Sequence, residues 1–279
     1  MVATDFEFNG TKLTDVNWRI VSFGNNDDNE VTAGGEVTFN TSKAINGKRW
    51  KYVGRKYDTQ YSFTVQIMKF KCPHEVGEIS TREQAFIHSW LVRSDGYKLF
   101  RFMFDGYEDV YYNAQVGLQW YKIGGKIVGA TLTLTCDAPW GYSDIQTADI
   151  VTNTPFNLYN DSDDLGYIIP DEIEIGISSA ISSAGNLEIG NSLESIYSMG
   201  TYPNMKINNC KAGENIIVSG LTKQIYTDNV THEKTIADDY NYKPIRLINM
   251  DNMRQNIITV SGCNANVHLT YRTVRKVVM

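Results

Sequence analysis

Several absences narrow what these 279 residues can be. Cysteine is scarce: Cys72, Cys136, Cys210 and Cys263 are widely spaced and form no CxxC pair. A disulfide framework is denser and belongs to shorter secreted chains, so all four are expected to be reduced and mostly buried. Six prolines are too few for long disordered linkers. No run of 18 apolar residues occurs, so no membrane-spanning helix is expected. The opening Met1-Val2-Ala3-Thr4-Asp5 has no basic region before an apolar stretch, so no signal peptide is expected either.

Catalytic signatures are missing as well. There is no GxSxG, HExxH, P-loop or GxGxxG. Cys72-Pro73-His74 has no second pair to complete a tetrahedral metal site. The adjacent carboxylates Asp27-Asp28 and Asp238-Asp239 diverge, whereas a glycosidase pair faces itself across about 5 to 10 Å. Asn160-Asp161-Ser162-Asp163-Asp164-Leu165-Gly166 looks superficially like a calcium loop, but no glutamate stands at the required distance, and it reads as a solvated acidic turn. No cofactor, metal or catalytic residue is expected, and the chain does not read as an enzyme.

What remains is a two-part chain. Its length exceeds the usual single-domain size. Residues 1–140 carry 16 Lys+Arg against 16 Asp+Glu, and residues 141–279 carry 10 against 16. The whole net charge of −6 therefore lies in the second part, which supports a boundary near residue 140 and argues against nucleic-acid binding there.

The periodicity is mostly that of strands. In the first part, strands are expected over 31–39, 57–67, 98–104, 110–121 and 126–136, with turns at Asn46-Gly47 and Gly124-Gly125. Tyr57, Tyr61, Phe63, Val65 and Ile67 fall on one face of the second of these. One helix is expected from Thr81, read as its cap, to Val92, with Phe86, Ile87, Trp90 and Leu91 as its apolar stripe. Asp137-Ala138-Pro139-Trp140-Gly141 breaks the pattern, and an acidic extended segment follows. From about Pro155 the chain reads as short strands separated by Asn, Gly and Asp turns at intervals of about ten residues, the signature of an antiparallel sandwich. Expected strands include 156–159, 172–178, 186–189, 196–199, 205–208, 216–218, 224–226, 244–248, 256–260 and 267–277. There is no fixed-period repeat.

Several segments together resemble one known family. Asp5-Phe6-Glu7-Phe8-Asn9-Gly10, the helix ending Ser89-Trp90-Leu91, the aromatic strand Leu99 to Asp105 followed by Tyr111-Tyr112-Asn113-Ala114, and the closing Thr131-Leu132-Thr133-Leu134-Thr135-Cys136-Asp137-Ala138-Pro139-Trp140 resemble the N-terminal part of the distal tail protein (Dit) family of long-tailed, siphovirus-type phages. Asn157-Leu158-Tyr159-Asn160, Pro170 to Ile175, Gln255 to Gly262 and Val267 to Arg272 resemble its second part, with a departure at Met253-Arg254-Gln255, where the family often turns on Pro-Gly.

The resemblance implies a mainly β chain. A β-barrel-like, ring-forming domain with one helix would span 1–142, and a galectin-like antiparallel β-sandwich would span 143–279. It implies a homohexameric ring, possibly stacked in pairs, at the distal end of a tail in a virion assembled in a bacterial cytoplasm, with a Gram-positive host. The implied partners are the tail tube protein, the tail hub and receptor-binding or baseplate proteins, without membrane insertion or specific nucleic-acid recognition.

Candidate ring contacts are Tyr111, Tyr112 and Trp120, which could equally fill the domain's own core. The basic stretch Lys43, Lys48, Arg49, Lys51, Arg55 and Lys56 could face DNA in a channel, a neighbouring subunit or solvent. Asp27, Asp28 and Glu30 offer a neighbour matching charge. The alternative reading is a carbohydrate-binding module, although no Trp follows Trp140 to serve as a platform.

Overall fold

The computed structural model describes residues 5–21, 37–43, 48–57, 60–72, 75–103, 106–181 and 185–276. Asp27, Asp28, Glu30, the Asn46-Gly47 turn, His74 and the ends of three expected strands lie outside the described residues. The chain divides into two compact units. One spans 1–142 together with the last residues from Arg275, and the other spans 143–274.

In the first unit the strands are β1 Phe6–Phe8, β2 Thr11–Lys12, β3 Trp18–Ile20, β4 Val37–Ser42, β5 Lys51–Tyr57, β6 Ser62–Cys72, β7 Glu75–Val76, β8 Lys98–Phe102, β9 Tyr112–Ile123, β10 Lys126–Cys136 and β11 Gly141–Tyr142. One sheet runs in the order β2-β1-β8-β9-β10-β6-β3, with β7 joined to β6. The turn between β9 and β10 is the expected Gly124-Gly125, with φ of +56° and +81°, a geometry that closes a two-residue hairpin and that glycine adopts without strain. One face of the long strands is core: Phe63, Val65 and Ile67 of β6, Ala130, Leu132 and Leu134 of β10, and Ala114 and Val116 of β9 are buried. The expected strand over 57–67 divides in two, because Tyr57 ends β5 and β6 begins at Ser62. Among the described residues, strands β4 and β5 pair with each other as a separate two-stranded sheet.

The helix α1 spans Thr81–Leu91. Its cap is Ser80, not Thr81. The Ser80 hydroxyl accepts from the Glu83 amide while Glu83 Oε2 accepts from the Ser80 amide at 2.9 Å. This reciprocal box satisfies two of the helix's orphan donors, which Thr81 inside the helix could not do. Ile87 and Leu91 are buried, Trp90 donates from Nε1 to the Phe8 carbonyl at 3.2 Å, and Phe86 of the expected stripe is half exposed.

In the second unit the strands are β12 Gln146–Val151, β13 Phe156–Tyr159, β14 Gly166–Ile168, β15 Glu172–Ile181, β16 Leu187–Asn191, β17 Met205–Ile207, β18 Asn215–Ser219, β19 Ile225–Thr227, β20 Leu247–Asn249, β21 Gln255–Ser261 and β22 Cys263–Tyr271, and β23 Val274–Arg275 follows them. A five-stranded sheet, β12-β22-β15-β18-β19, and a four-stranded sheet, β13-β21-β16-β17, bury one apolar core. Every pairing is antiparallel. The strand expected over 196–199 is instead the end of a helical turn, α2 Glu194–Tyr197, and the expected strand over 267–277 is β22 plus β23. A further short helix, α3, spans Ile236–Asp239.

The Lys69 ammonium hydrogen-bonds to Glu83 and, together with the Ser80 amide, holds the Glu83 carboxyl at about 2, below its ordinary 4.5. A carboxyl depressed in the folded state contributes its full stability above about pH 4.5 and loses it as pH falls toward about 2. Replacing Glu83 by Gln should therefore flatten the stability of the first unit across that acid window. Urea midpoints measured between pH 5 and pH 2 test this, and a slope equal to that of the wild type would disprove it.

Candidate assembly surfaces

Among the expected contact residues, the fold separates Tyr112 from the others. Tyr112 is 2% exposed, its ring lies 5.8 Å from Tyr61 and 5.9 Å from Phe63, and burial pushes its phenol up. It fills the core and offers nothing to a neighbour, because alternation along β9 turns it inward. Tyr111 is half-buried, and its hydroxyl accepts from Arg101 Nη1 at 2.8 Å. Arg101 in turn donates from Nη2 to Glu7 at 2.8 Å and from Nη1 to the Glu108 carbonyl at 3.2 Å. Trp120 is half-buried and packs on the first unit's core.

The basic residues cluster on the β4–β5 hairpin. Lys43, Lys48, Arg49, Lys51 and Lys56 are exposed. Phe39, Trp50 and Val53 stand among them at 64%, 67% and 66% exposure, and Lys43 Nζ lies 5.9 Å over the Trp50 ring. Exposed apolar side chains grouped on one element make this hairpin a candidate surface for a partner.

Among the described residues no group of three or more His, Cys, Asp and Glu could hold a metal ion. Cys136, Cys210 and Cys263 are free and buried, and burial pushes the first two thiols up to about 12. His232 Nδ1 lies 2.6 Å from Glu214 Oε1 and Nε2 lies 3.4 Å from Asp239 Oδ2. The His232 and Glu214 side chains have no solvent exposure, so the cluster ties loops together out of reach of any substrate.

The calcium-like segment 160–166 is not a solvated turn. Asn160 and Ser162 are buried, and Asn160 Nδ2 donates to the Leu247 carbonyl at 2.9 Å. Asn249 Nδ2 donates to the carbonyls of Ser162 and Asp164 at 2.6 and 2.7 Å. Nearby, Asn256 Oδ1 accepts from the Ile248 amide and from Asn191 Nδ2, both at 2.7 Å, while Asn256 Nδ2 reaches the Ile248 and Arg254 carbonyls at 3.0 Å. These side chains stand in for the strand ladder that short β20 cannot supply by itself.

Beside them Arg246 pairs with Glu194 through two hydrogen bonds and lies 3.6 Å over the Tyr202 ring and 4.4 Å over Tyr167. That pair explains the helical turn at 194–197, which carries Glu194 inward. Asn residues spaced tens of positions apart give no local pattern, so sequence reasoning missed them all.

The family described as phage tail protein N-terminal domain matches residues 1–138, and the phage tail C-terminal domain matches residues 140–271. The chain thus belongs to the phage tail proteins built from these two domains. Its fold is that of a distal tail protein. The Dit (gp 19.1) protein of phage SPP1, described as a paradigm of hub adsorption apparatus in phages infecting Gram-positive hosts, superposes with a TM-score of 0.57 over 98% of this chain and 99% of that one, at 14% identity. No curated protein matches the sequence.

Asn256→Ala should leave the Ile248 amide and its neighbouring carbonyls unpaired and cost about 3 kcal/mol. Faster hydrogen exchange in peptides covering 246–258 should accompany it. Unchanged exchange would show that the network is not what holds this segment.

Proposed function

We propose that the chain is a structural protein, not an enzyme, that forms a homohexameric ring at the distal end of a phage tail. The ring joins the tail tube to the hub and to receptor-binding or baseplate proteins. It is made in the cytoplasm of the bacterial host, a Gram-positive one by analogy with the organisms named for SPP1 Dit. The carrying observation is the β4–β5 hairpin: among the described residues a separate two-stranded sheet, with Phe39, Trp50 and Val53 exposed among lysines. Head-to-tail contacts that close by rotation would cover this hairpin six times over. The full-length likeness of fold to SPP1 Dit supports the same reading. Lys48 and Arg49, at the end of the hairpin where β4 connects to β5, would meet acidic groups of the neighbour, with Asp27 and Asp28 as candidates.

Light scattering after size exclusion, with negative-stain images, tests the ring directly. The wild type should have the mass of six or twelve chains and a central hole. Phe39→Ala with Trp50→Ala should give monomers that keep the native circular dichroism spectrum, and Lys48→Glu with Arg49→Glu should weaken assembly in a salt-dependent way. Rings of full mass in both double variants would refute the hairpin's role.

A second reading, sugar binding by the second unit, has one observation in its favour. Asp149, His268, Glu174, Ile217 and Tyr226 lie in register across the five-stranded sheet, and Tyr226 is 53% exposed beside the part-exposed Ile217. A tyrosine ring with polar neighbours is a platform for a pyranose face. Glycan-array binding by the full chain that disappears with Tyr226→Ala would promote this reading, and an empty array would retire it.

A further inference from the structure

The two sheets of the second unit's sandwich end in four edge strands, and three of these are short or covered. Beside β17, the Asn208 amide donates to the Asp239 carbonyl at 3.0 Å and the Asn241 amide to the Lys206 carbonyl at 3.1 Å. β19 is three residues long and has α3 against it. β13 is four residues long and follows Pro155. Short length, proline and cover are the usual ways of blunting a sheet edge. β12 has none of them. It runs for six residues without proline, lysine or a register shift.

Its register shows what is left open. The Thr152 amide donates to the Ala265 carbonyl at 3.1 Å, so Gln146, Ala148 and Ile150 are the β12 residues bonded to β22. The amides of Thr147, Asp149 and Val151 and the carbonyls of Thr147 and Asp149 therefore point away from the sheet. Among the described residues none of these groups has a partner. Their side chains stand on the outer face, in line with Ile145. Ile145 is 61% and Val151 52% exposed, and Asp149 is more open still.

The face behind this edge is acidic. Outward positions on β22 and β15 are Thr270, His268, Asn266, Glu172, Glu174 and Gly176. With Asp149 they hold three carboxylates and no Lys or Arg. His268 Nδ1 lies 2.7 Å from Asp149 Oδ1. Arg272, one step outside, donates to Asp171 at 3.0 Å. Lys223 stands in the β18–β19 turn, at the opposite side of the sheet.

We infer that β12 is a docking edge for an extended segment of another protein, which adds as a sixth strand and places a Lys or Arg opposite Asp149 with β-branched residues on either side. Main-chain hydrogen bonds to the open groups hold the segment, and the acidic face selects its sign. Cross-strand pairs of opposite charge and of β-branched residues favour that pattern. A second copy of β12 does not suit the edge. Paired antiparallel, two such strands would merge their acidic faces and set like charges side by side. The site is complete on one chain and needs no ring.

The probe is the acetylated, amidated peptide Thr-Val-Thr-Arg-Thr-Val-Thr, added at millimolar concentration to the full-length chain. Hydrogen exchange read by mass spectrometry should slow at three amides within 145–152, those of Thr147, Asp149 and Val151. The slowing should weaken as salt rises. It should be lost with Asp149→Lys, whose side chain is exposed and whose backbone makes no bond to β22. It should also be lost when every backbone nitrogen of the peptide is methylated, which keeps the charge and removes the donors. Unchanged exchange over 145–152 would overturn the inference. Equal slowing by the methylated peptide would reduce it to adsorption of charge, and equal slowing in Asp149→Lys would overturn the choice of a cationic partner.

Discussion

The first unit depends on strict two-residue alternation along one long antiparallel ladder. In β6, β10 and β9 the buried positions are Phe63, Val65, Ile67, Ala114, Val116, Ala130, Leu132 and Leu134, and the positions between them are mostly Ser, Thr, Gln and Gly, so a slip of one residue would exchange core for surface along the sheet. Glycine at both hairpin positions fixes the register at one end, and the shift between Ile127 and Gly129 adjusts it once. Given that register, the helix has a greasy floor to dock on, Tyr112 has to point inward and the threonines have to point out. The same constraint that builds the core sorts the outer face into rows.

The second unit solves a different problem. Its strands are short, and the segment around β20 pairs only with three-residue β14. Asparagine carboxamides supply what the backbone ladder cannot. Each offers two donors and an acceptor; Asn160, Asn191 and Asn256 are buried with both ends of the carboxamide engaged, and Asn249 is buried with its Nδ2 engaged and its Oδ1 without a partner among the described residues. The Arg246–Glu194 pair follows the same logic, with tyrosine rings in place of water around the guanidinium. The two units therefore put their specificity in different places. The first uses aromatic packing, with Phe63 near Phe100, Phe102 and Tyr112, and the second uses side-chain hydrogen bonds across long stretches of sequence.

For an assembly protein the instructive feature is the contrast between surfaces. In the first unit a hairpin exposes Phe39, Trp50 and Val53 among lysines, whereas the outward positions of β6, β10 and β9 are mostly Ser, Thr, Gln and Gly.

The amino-acid sequence by itself determined whatever repeats locally. It set the strand character of most of both units, the bounds of β10, the glycine turn before it, the place of the long helix and the buried cysteines. These follow from spacings of two or about 3.6 residues and from turn chemistry, which act over a few positions. Tertiary structure decided the rest. It chose Ser80 over Thr81 as the cap, because only the residue outside the helix can close the box with Glu83. It made a helix of 194–197, overlapping the strand expected over 196–199, because Arg246, about fifty residues onward, draws Glu194 in. It buried Asn160 in a segment that composition alone marks as solvated, because Leu247 needed a donor. It turned Tyr111 and Tyr112, adjacent and chemically alike, to opposite fates. In each case the deciding partner is remote along the chain, and a remote partner leaves no period to read.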